Sequence, residues 1–297
     1  MKNSILFAGM ILLAASCSSE SDVTVSAPES GKAMVNVRVD NFTIEQEEFA
    51  SVRGATRATS ALAEYTNVKA ITLAFYAGTE EVYKATQLRA DATTFTTFGE
   101  FSTPLSIGSY TMVVLGYASD SEITLTSPTA AAYTSDKGRE TFVATQTVNV
   151  TSTADLNLTA ELSRVVTRLR VKSTDNMPTG VAKVTIQVSA GGISFNPTTG
   201  LATVNTGLTN EVAATSGFGR TASFNTYFFL ASDEQTVNVT ITVFDASDNV
   251  LFSKALTSVP MKRNRCTEVT GKLFSSTATA SAFTVTTDWL TDHVVEF

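Results

Sequence analysis

The sequence has 297 residues, 43% of them hydrophobic, and a formal net charge of −7 at pH 7. This is enough apolar material for a globular protein, and the length favours two domains. The acidic balance argues against nucleic acid as a partner, because that binding needs clustered cations. One histidine and two cysteines are too few for most zinc sites and for Ser-His-Asp or Cys-His machinery. The composition predicts a protein that is not an enzyme and has no metal or cofactor.

The N-terminus predicts a secretory signal over residues 1–16. Lys2 gives a short positive region, and residues 5–15 are apolar but too short to span a bilayer, which needs about 20 residues. Small residues directly precede Cys17, so residues 13–17 resemble the lipobox of bacterial lipoproteins. The resemblance implies that Cys17 is acylated. The alternative is an ordinary secretory signal that is cut nearby, in which case Cys17 has no role in processing.

A polar tether, residues 17–32, separates this signal from the first predicted strand. In that strand, Val35, Val37 and Val39 alternate with polar residues, the pattern of a strand with one face buried. Residues 42–49 have the spacing of a short amphipathic helix, and residues 60–65 are a second short helix candidate.

The stretch 45–60 separates the first strand from the rest of the chain. It contains small residues around Arg53 and Arg57 and has little to bury. Exposed segments of this kind are where proteases cut.

Period-two alternation recurs along the rest of the chain and predicts an all-β protein. The clearest runs are Ile71, Leu73 and Phe75; Leu156, Leu158, Ala160 and Leu162; Val184, Ile186 and Val188; and Val237, Val239, Ile241 and Val243. Short strands at this spacing favour antiparallel sandwiches. We expect an N-terminal sandwich over residues 58–163, a C-terminal sandwich over 164–297, and a hairpin over 239–254.

A few residues could suggest other chemistry. Residues 217–222 superficially match a dinucleotide-binding fingerprint, but no helix pattern follows to present its N-terminus to a phosphate. Asp245 and Asp248 weakly resemble calcium ligands, and a tight hairpin turn explains them more simply. Cys266 has no intramolecular disulfide partner if Cys17 is acylated, so we expect a buried thiol.

The order of these parts resembles the fimbrillin family of Bacteroidales, the type V pilins. Residues 162–171 (LSRVVTRLRV) are similar to the segment that joins the two domains in that family. Residues 260–267 (PMKRNRCT) followed by 271–274 (GKLF) are similar to its late basic stretch. The resemblance implies two tandem transthyretin-like β-sandwich domains behind a lipoprotein signal.

The resemblance also implies a mechanism of strand donation. The precursor reaches the outer membrane as a lipoprotein, an arginine-specific protease cuts the linker, and the first strand leaves with its lipid. A strand from a neighbouring subunit then fills the groove, and repetition of this step builds an extracellular fimbrium.

Carried onto this sequence, the resemblance assigns residues to each step. The cleavage site is Arg57–Ala58, with Arg53–Gly54 as the runner-up. The removable strand and linker are residues 33–57, in which residues 33–41 complete the N-terminal sandwich and Val35, Val37 and Val39 form the centre of the released strand. The candidate donor strand lies within residues 290–297 and comprises Leu290, Val294, Val295 and Phe297. Its alternative is a final edge strand folded onto its own domain.

The expected partners are other pilin subunits, lipoprotein-processing enzymes, the arginine-specific protease and the outer membrane through the lipid. Two alternatives of other classes stay open. A fimbrial anchor or accessory protein would keep its lipid and never use Arg57. A glycan-binding surface lipoprotein would need exposed aromatic rings, because sugar faces stack on flat rings.

Overall fold

The computed structural model describes residues 31–45, 57–93, 95–118, 123–135, 137–214, 216–275 and 283–287. Within these residues the protein consists of strands and contains no helix, which confirms the all-β prediction. The strands are β1 (Lys32–Glu45), β2 (Arg57–Ala61), β3 (Ala70–Ala77), β4 (Glu80–Leu88), β5 (Glu100–Ser106), β6 (Gly108–Tyr117), β7 (Ile123–Ser127), β8 (Ala130–Tyr133), β9 (Thr141–Val150), β10 (Leu156–Arg164), β11 (Thr167–Ser173), β12 (Lys183–Val188), β13 (Ser194–Asn196), β14 (Leu201–Ala202), β15 (Leu208–Ala213), β16 (Ser223–Phe228), β17 (Glu234–Phe244), β18 (Val250–Lys262), β19 (Cys266–Gly271) and β20 (Thr284–Thr287).

The N-terminal part is a sheet that folds over onto itself to make a sandwich. One layer has the order β5-β1-β10, with β2 beside the second half of β1, and the other layer has the order β9-β6-β3-β4. The ladder that joins the two layers lies at the end of β10, where Ser163 and Arg164 pair with β9. Side chains from both layers, for example Val37 of β1 and Leu73 of β3, form one buried core. β1 is therefore a central strand of its layer.

The C-terminal part is a second sandwich of two four-stranded sheets. Their orders are β16-β11-β19-β20 and β15-β12-β17-β18. The alternation at Val237, Val239, Ile241 and Val243 belongs to β17, where all four side chains are buried. β17 and β18 form the hairpin expected over residues 239–254.

A third core lies between the two sandwiches. β7 and β8 of the N-terminal part and β13 and β14 of the C-terminal part share a small sheet, in which Ser194 lies opposite Ala132. This sheet covers the outer face of β3 and β6 with a cluster that includes Tyr76, Leu115 and Phe195. The two sandwiches therefore share a buried apolar interface.

The structure differs from the sequence-based expectations in two respects. The helix predicted from residue 42 is wrong in its described part, because residues 42–45 continue β1 and pair with β2; residues 46–49 lie outside the described residues. The second helix candidate, 60–65, is the end of β2 followed by a turn. In addition, the first strand of each sandwich has a parallel partner from late in the same sandwich, β1 with β10 and β11 with β19, whereas the other pairs of described strands are antiparallel.

Candidate functional site: the first strand and its groove

β1 is held by three neighbouring strands. It pairs in parallel with β10 over most of its length, from Val35 opposite Leu156 to Thr43 opposite Ser163. On its other edge it pairs antiparallel with β5 as far as Arg38, and from Asn41 onward it pairs antiparallel with β2. β1 therefore changes its partner on this edge from β5 to β2 between residues 38 and 41.

Alternate side chains of β1 point into the N-terminal core. Ala33, Val35, Val37 and Val39 are at most 4% exposed. These include the three valines predicted to form the centre of the released strand. Their positions agree with the period-two pattern, although their release is not tested by the structure and stays a prediction.

A bulge keeps one further side chain of β1 on the core side. Val39 lies opposite Ala160, but Asn41 lies opposite Glu161, so β1 has one more residue than β10 at this point. Strict alternation would direct Phe42 to the opposite face from Val39. The extra residue reverses the phase, and Phe42 is fully buried in the same core as the valines.

The outer face of the layer carries a polar row across its three strands. Ser102 Oγ on β5 donates to Asn36 Oδ1 on β1 at 2.7 Å, and Asn36 Nδ2 donates to Asn157 Oδ1 on β10 at 2.9 Å. These bonds are solvent-exposed, so each contributes little to stability. They link β1 to both neighbours at one register position.

A cleft of about 830 Å³ borders this layer and the β4–β5 connection. Its lining includes Asn36, Gln87 and Thr159, which offer amide and hydroxyl groups. Its aromatic side chains, Tyr83, Phe95 and Phe101, are buried or half-buried. Tyr83 and Phe95 are partly exposed to the cleft, and the glycan-binding alternative stays untested.

The predicted cleavage bond lies at the start of β2. In the ladder between β1 and β2, Arg57 is opposite Glu45 and Ala58 is opposite Ile44. The backbone on both sides of the Arg57–Ala58 bond is therefore paired with β1. The runner-up bond, Arg53–Gly54, lies outside the described residues.

A buried polar cluster stands behind the Phe42 end of β1. Arg164 Nη2 lies 2.6 Å from Glu140 Oε1, and their side chains are 2% and 9% exposed. The Tyr65 hydroxyl donates to Glu140 Oε1 at 2.7 Å and accepts from Arg164 Nη2 at 3.0 Å. Burial, reinforced by the Glu140 carboxylate, raises the pKa of Tyr65. Arg164 also reaches the C-terminal part, because its Nη1 donates to Asn264 Oδ1 at 3.3 Å.

Residues 162–171 and residues 260–267, the two stretches quoted from the sequence, meet at this junction. The Asn264 amide donates to Val166 O at 2.9 Å, and the Arg168 amide donates to Arg265 O at 3.0 Å. β11 and β19 continue from there in parallel, with Arg168 opposite Cys266. Cys266 is buried at 2% exposure. These stretches have an architectural role, since they join the two sandwiches.

The loop residues that weakly suggested other chemistry form turns. Asp245 Oδ1 accepts from the amides of Ser247 and Asn249 at 2.8 and 2.9 Å, which is the geometry of a hairpin turn. Residues 217–222 are a loop followed by β16. The described residues include no cluster of three His, Cys, Asp or Glu side chains placed to hold a metal ion. Nor do they form a helix with the length and hydrophobicity that a membrane crossing requires.

Several predicted functional residues lie outside the described residues. They are the signal at 1–16, the lipidation site Cys17, most of the tether and the linker, and the candidate donor residues Leu290, Val294, Val295 and Phe297. Their assignments stay predictions.

Sequence reasoning missed the cluster of Phe42, Tyr65, Glu140 and Arg164. These residues come from four separate segments, and no spacing in the sequence connects them. The sequence offered one signal: Glu140 and Arg164 each lie next to an apolar run that the alternation pattern predicts to be buried.

Comparison with known proteins places the chain in a family. Residues 30–293 match the sequence profile of DUF6562, a family of unknown function. The chain belongs to the DUF6562 family. The matched region of this DUF6562 protein begins just before β1, so the first strand is part of the family domain. Among curated proteins, no match is found.

Solved structures from Bacteroidales bacteria resemble this DUF6562 protein at low sequence identity. A candidate adhesin from Bacteroides ovatus has a TM-score of 0.50 and 11% identity, over 79% of this chain and 87% of that one. A second candidate adhesin from the same species has a TM-score of 0.49 and 12% identity, over 76% and 80% of the two chains. The fimbrial anchor protein Mfa2 from Porphyromonas gingivalis has a TM-score of 0.43 and 13% identity, over 86% and 95%. At such identity, the first of these likenesses shows a shared fold.

Proposed function

We propose that this chain is the precursor of a fimbrial subunit on the bacterial surface, with β1 as its exchangeable strand. The observation that carries the proposal is the pairing of β1, which has strand partners along its length and buries alternate side chains. Residues 46–56 connect β1 covalently to β2, so a cut in this segment would leave β1 held by non-covalent contacts alone. A groove that holds one strand by backbone pairing and alternate apolar side chains can hold another of the same pattern. The fold shared with a candidate adhesin from Bacteroides ovatus is in keeping with this role.

In this proposal, maturation turns a lipoprotein into a polymer. A lipid on Cys17 anchors the precursor to the outer membrane, and an arginine-specific protease cuts Arg57–Ala58, or Arg53–Gly54 as the runner-up. β1 then leaves with the lipid, and its groove presents unpaired backbone groups and an apolar trench. A strand from the next subunit fills the groove, for which the candidate is residues 290–297. The contact is head-to-tail and does not close, so it builds a filament.

A second candidate function is favoured by the position of the cleavage bond. Backbone on both sides of Arg57–Ala58 is paired with β1, and a bond within a ladder must unpair before a protease can bind it. A chain that is never cut would keep β1 in place and stay attached through its lipid. Such a chain would be a fimbrial anchor or another lipid-retaining surface protein.

The experiment that separates the two is N-terminal sequencing and intact mass measurement of the protein taken from the surface of its native cells. A chain that begins at Ala58 without lipid supports the exchangeable strand. A chain that begins at acylated Cys17 and continues through Arg57 contradicts it and supports the anchor. Arg57→Ala and Arg53→Ala variants form a matched pair: cleavage that survives only in Arg53→Ala assigns the cut to Arg57.

A further inference from the structure

The inward positions of β1 are of two kinds. Val35, Val37 and Val39 are aliphatic and lie in the main N-terminal core. Phe42 belongs to the same core but packs against two aromatic rings: its ring centroid is 4.8 Å from that of Phe142 and 5.4 Å from that of Tyr65. We call the space that Phe42 fills the aromatic subsite.

A strand in the groove can place a side chain in this subsite because its backbone bulges just before that position. Phe42 is three residues beyond Val39, and both point inward because β1 has one extra residue relative to β10. The Leu62 amide donates to Asp40 O at 3.2 Å, so the bulged residue is itself bonded to the segment after β2. A strand of strict alternation would present the wrong face at this position.

The walls of the aromatic subsite also support the buried charges. Tyr65 and Phe142 contact each other edge-on, with ring centroids 5.4 Å apart. Tyr65 holds Glu140 through its hydroxyl, and the Arg164 guanidinium lies 5.1 Å from the Phe142 ring centroid. If the subsite were empty, both rings would lose a packing partner and water could reach the Glu140–Arg164 pair. An occupant that fills the space with a ring keeps the pair buried.

We propose that the aromatic subsite determines which strand the groove accepts. The partner is a β-strand from a second subunit that carries aliphatic residues at the positions of Val35 and Val39. It has an aromatic residue three positions beyond the last of them and bulges in between. In the candidate donor, residues 290–297, the aliphatic residues are Leu290 and Val294, with Asp292 between them at the position of Val37. This inference rests on the proposed function, since it specifies the strand that replaces β1.

The test is strand exchange with synthetic peptides of residues 32–45. The full chain is cut in the 46–57 linker by an arginine-specific protease, and intact mass confirms that the cut is single, so that β1 is held by the groove alone. Fluorescently labelled peptides then compete for the groove in three versions: the natural sequence, Phe42→Leu and Val37→Ala. Fluorescence anisotropy gives the affinity of each.

Buried area and ring packing make opposite predictions about which variant, Phe42→Leu or Val37→Ala, loses more affinity for the groove. Loss of two buried carbons in Val37→Ala weakens binding about 10-fold, and Phe42→Leu, which keeps most of the apolar area, should cost less on area alone. If ring contacts with Tyr65 and Phe142 govern the subsite, Phe42→Leu weakens binding about 30-fold. The order of the two variants is therefore the decisive result.

Each outcome decides one of the two proposals. Phe42→Leu binding more weakly than Val37→Ala supports the aromatic subsite. Exchange of the natural peptide, with Phe42→Leu binding as tightly as Val37→Ala or more tightly, overturns the aromatic subsite and leaves strand exchange standing. If no peptide displaces β1, strand exchange itself fails and the inference fails with it.

A second measurement does not depend on cleavage. In the intact chain, Phe42→Leu should speed hydrogen exchange in the turn that contains Tyr65 and in residues 262–266, whereas Val37→Ala should leave residues 262–266 unchanged. Equal effects of the two variants on both segments would overturn the inference.

Discussion

The buried ion pair at the junction of the two sandwiches gives a sharp test of the structure. We consider Glu140→Gln, which removes the charge and keeps the size of the side chain. Arg164 Nη2 is 2.6 Å from Glu140 Oε1, and the side chains are only 2% and 9% exposed. Removing one partner of such a pair typically costs about 3–5 kcal/mol, because the remaining charge stays buried without compensation. Glutamine can still accept the hydrogen bond from Tyr65, so we expect the lower end, about 3 kcal/mol.

The assay is chemical denaturation, with thermal unfolding as a second measurement. For a protein of this size, a loss of 3 kcal/mol lowers the unfolding temperature by about 5 °C. The matched control is Asp233→Asn, which breaks the pair of Asp233 with Arg263 at 2.8 Å, where the side chains are 69% and 32% exposed. An exposed pair contributes at most about 1 kcal/mol, so the control should barely shift the unfolding curve.

Two results would refute this reasoning. One is a Glu140→Gln variant no less stable than Asp233→Asn, which would mean that the pair is hydrated or poorly formed. The other concerns the double variant Glu140→Gln with Arg164→Met, in which both charges are gone. It should recover part of the lost stability, and a further loss instead would show that the charge of Arg164 is not the source of the cost.

Three further predictions concern β1, the buried tyrosine and the hairpin turn. Val35→Ala should lower the free energy of unfolding by about 2 kcal/mol, because Val35 is fully buried. Asn36→Ala on the exposed face should change it by about 0.5 kcal/mol. Denaturant titration of both variants measures the difference, and equal losses would contradict the assigned faces of β1. Since the pKa of Tyr65 is raised by burial, its neutral form stabilises the folded state fully below a pH of about 10, the ordinary tyrosine value, and this contribution is lost as the pH rises further. Tyr65→Phe should therefore flatten the fall of the denaturation midpoint above that pH, and an unchanged slope would argue against the raised pKa. Asp245→Ala should lower the free energy of unfolding by about 1 kcal/mol, because the turn loses the hydrogen bonds that Asp245 accepts. Calcium should leave the thermal unfolding temperature of the natural protein unchanged. A higher unfolding temperature on adding calcium would favour the interpretation of Asp245 and Asp248 as calcium ligands.

Much of the fold could be predicted because a strand with one buried face has alternating apolar and polar residues in its sequence. β17 is the clearest case, since its four inward side chains are β-branched and its outward ones are threonine and asparagine. β8 is the opposite case. Its sequence, AAAY, has no alternation, and it becomes a strand because β7 and β13 supply its ladders from both sides. Partners that are distant in sequence leave no local pattern.

The candidate site was predictable in part for the same reason. The inward positions of Val35, Val37 and Val39 follow from alternation, but the continuation to Phe42 does not, because a bulge reverses the phase there. The spacing of residues 42–49 favoured a helix, and pairing of β1 with β2 overrode that local preference. Strand direction is equally invisible, so the parallel pairing of β1 with β10 could not be foreseen.

The sheet shared by β8 and β13 has a consequence for how the chain folds. The outer face of β3 and β6 includes Tyr76 and Leu115; β7 and β8 cover part of it, and Phe195 and Phe229 of the C-terminal part complete the cover. During synthesis, part of this apolar face therefore stays uncovered until the chain has been made beyond Phe195 and Phe229. Contacts of such long sequence separation form slowly, and exposed apolar faces aggregate in the interval. A fragment that ends at Arg164 would keep the part of this face that Phe195 and Phe229 cover permanently open, so we expect the N-terminal part to aggregate when it is made without the C-terminal part.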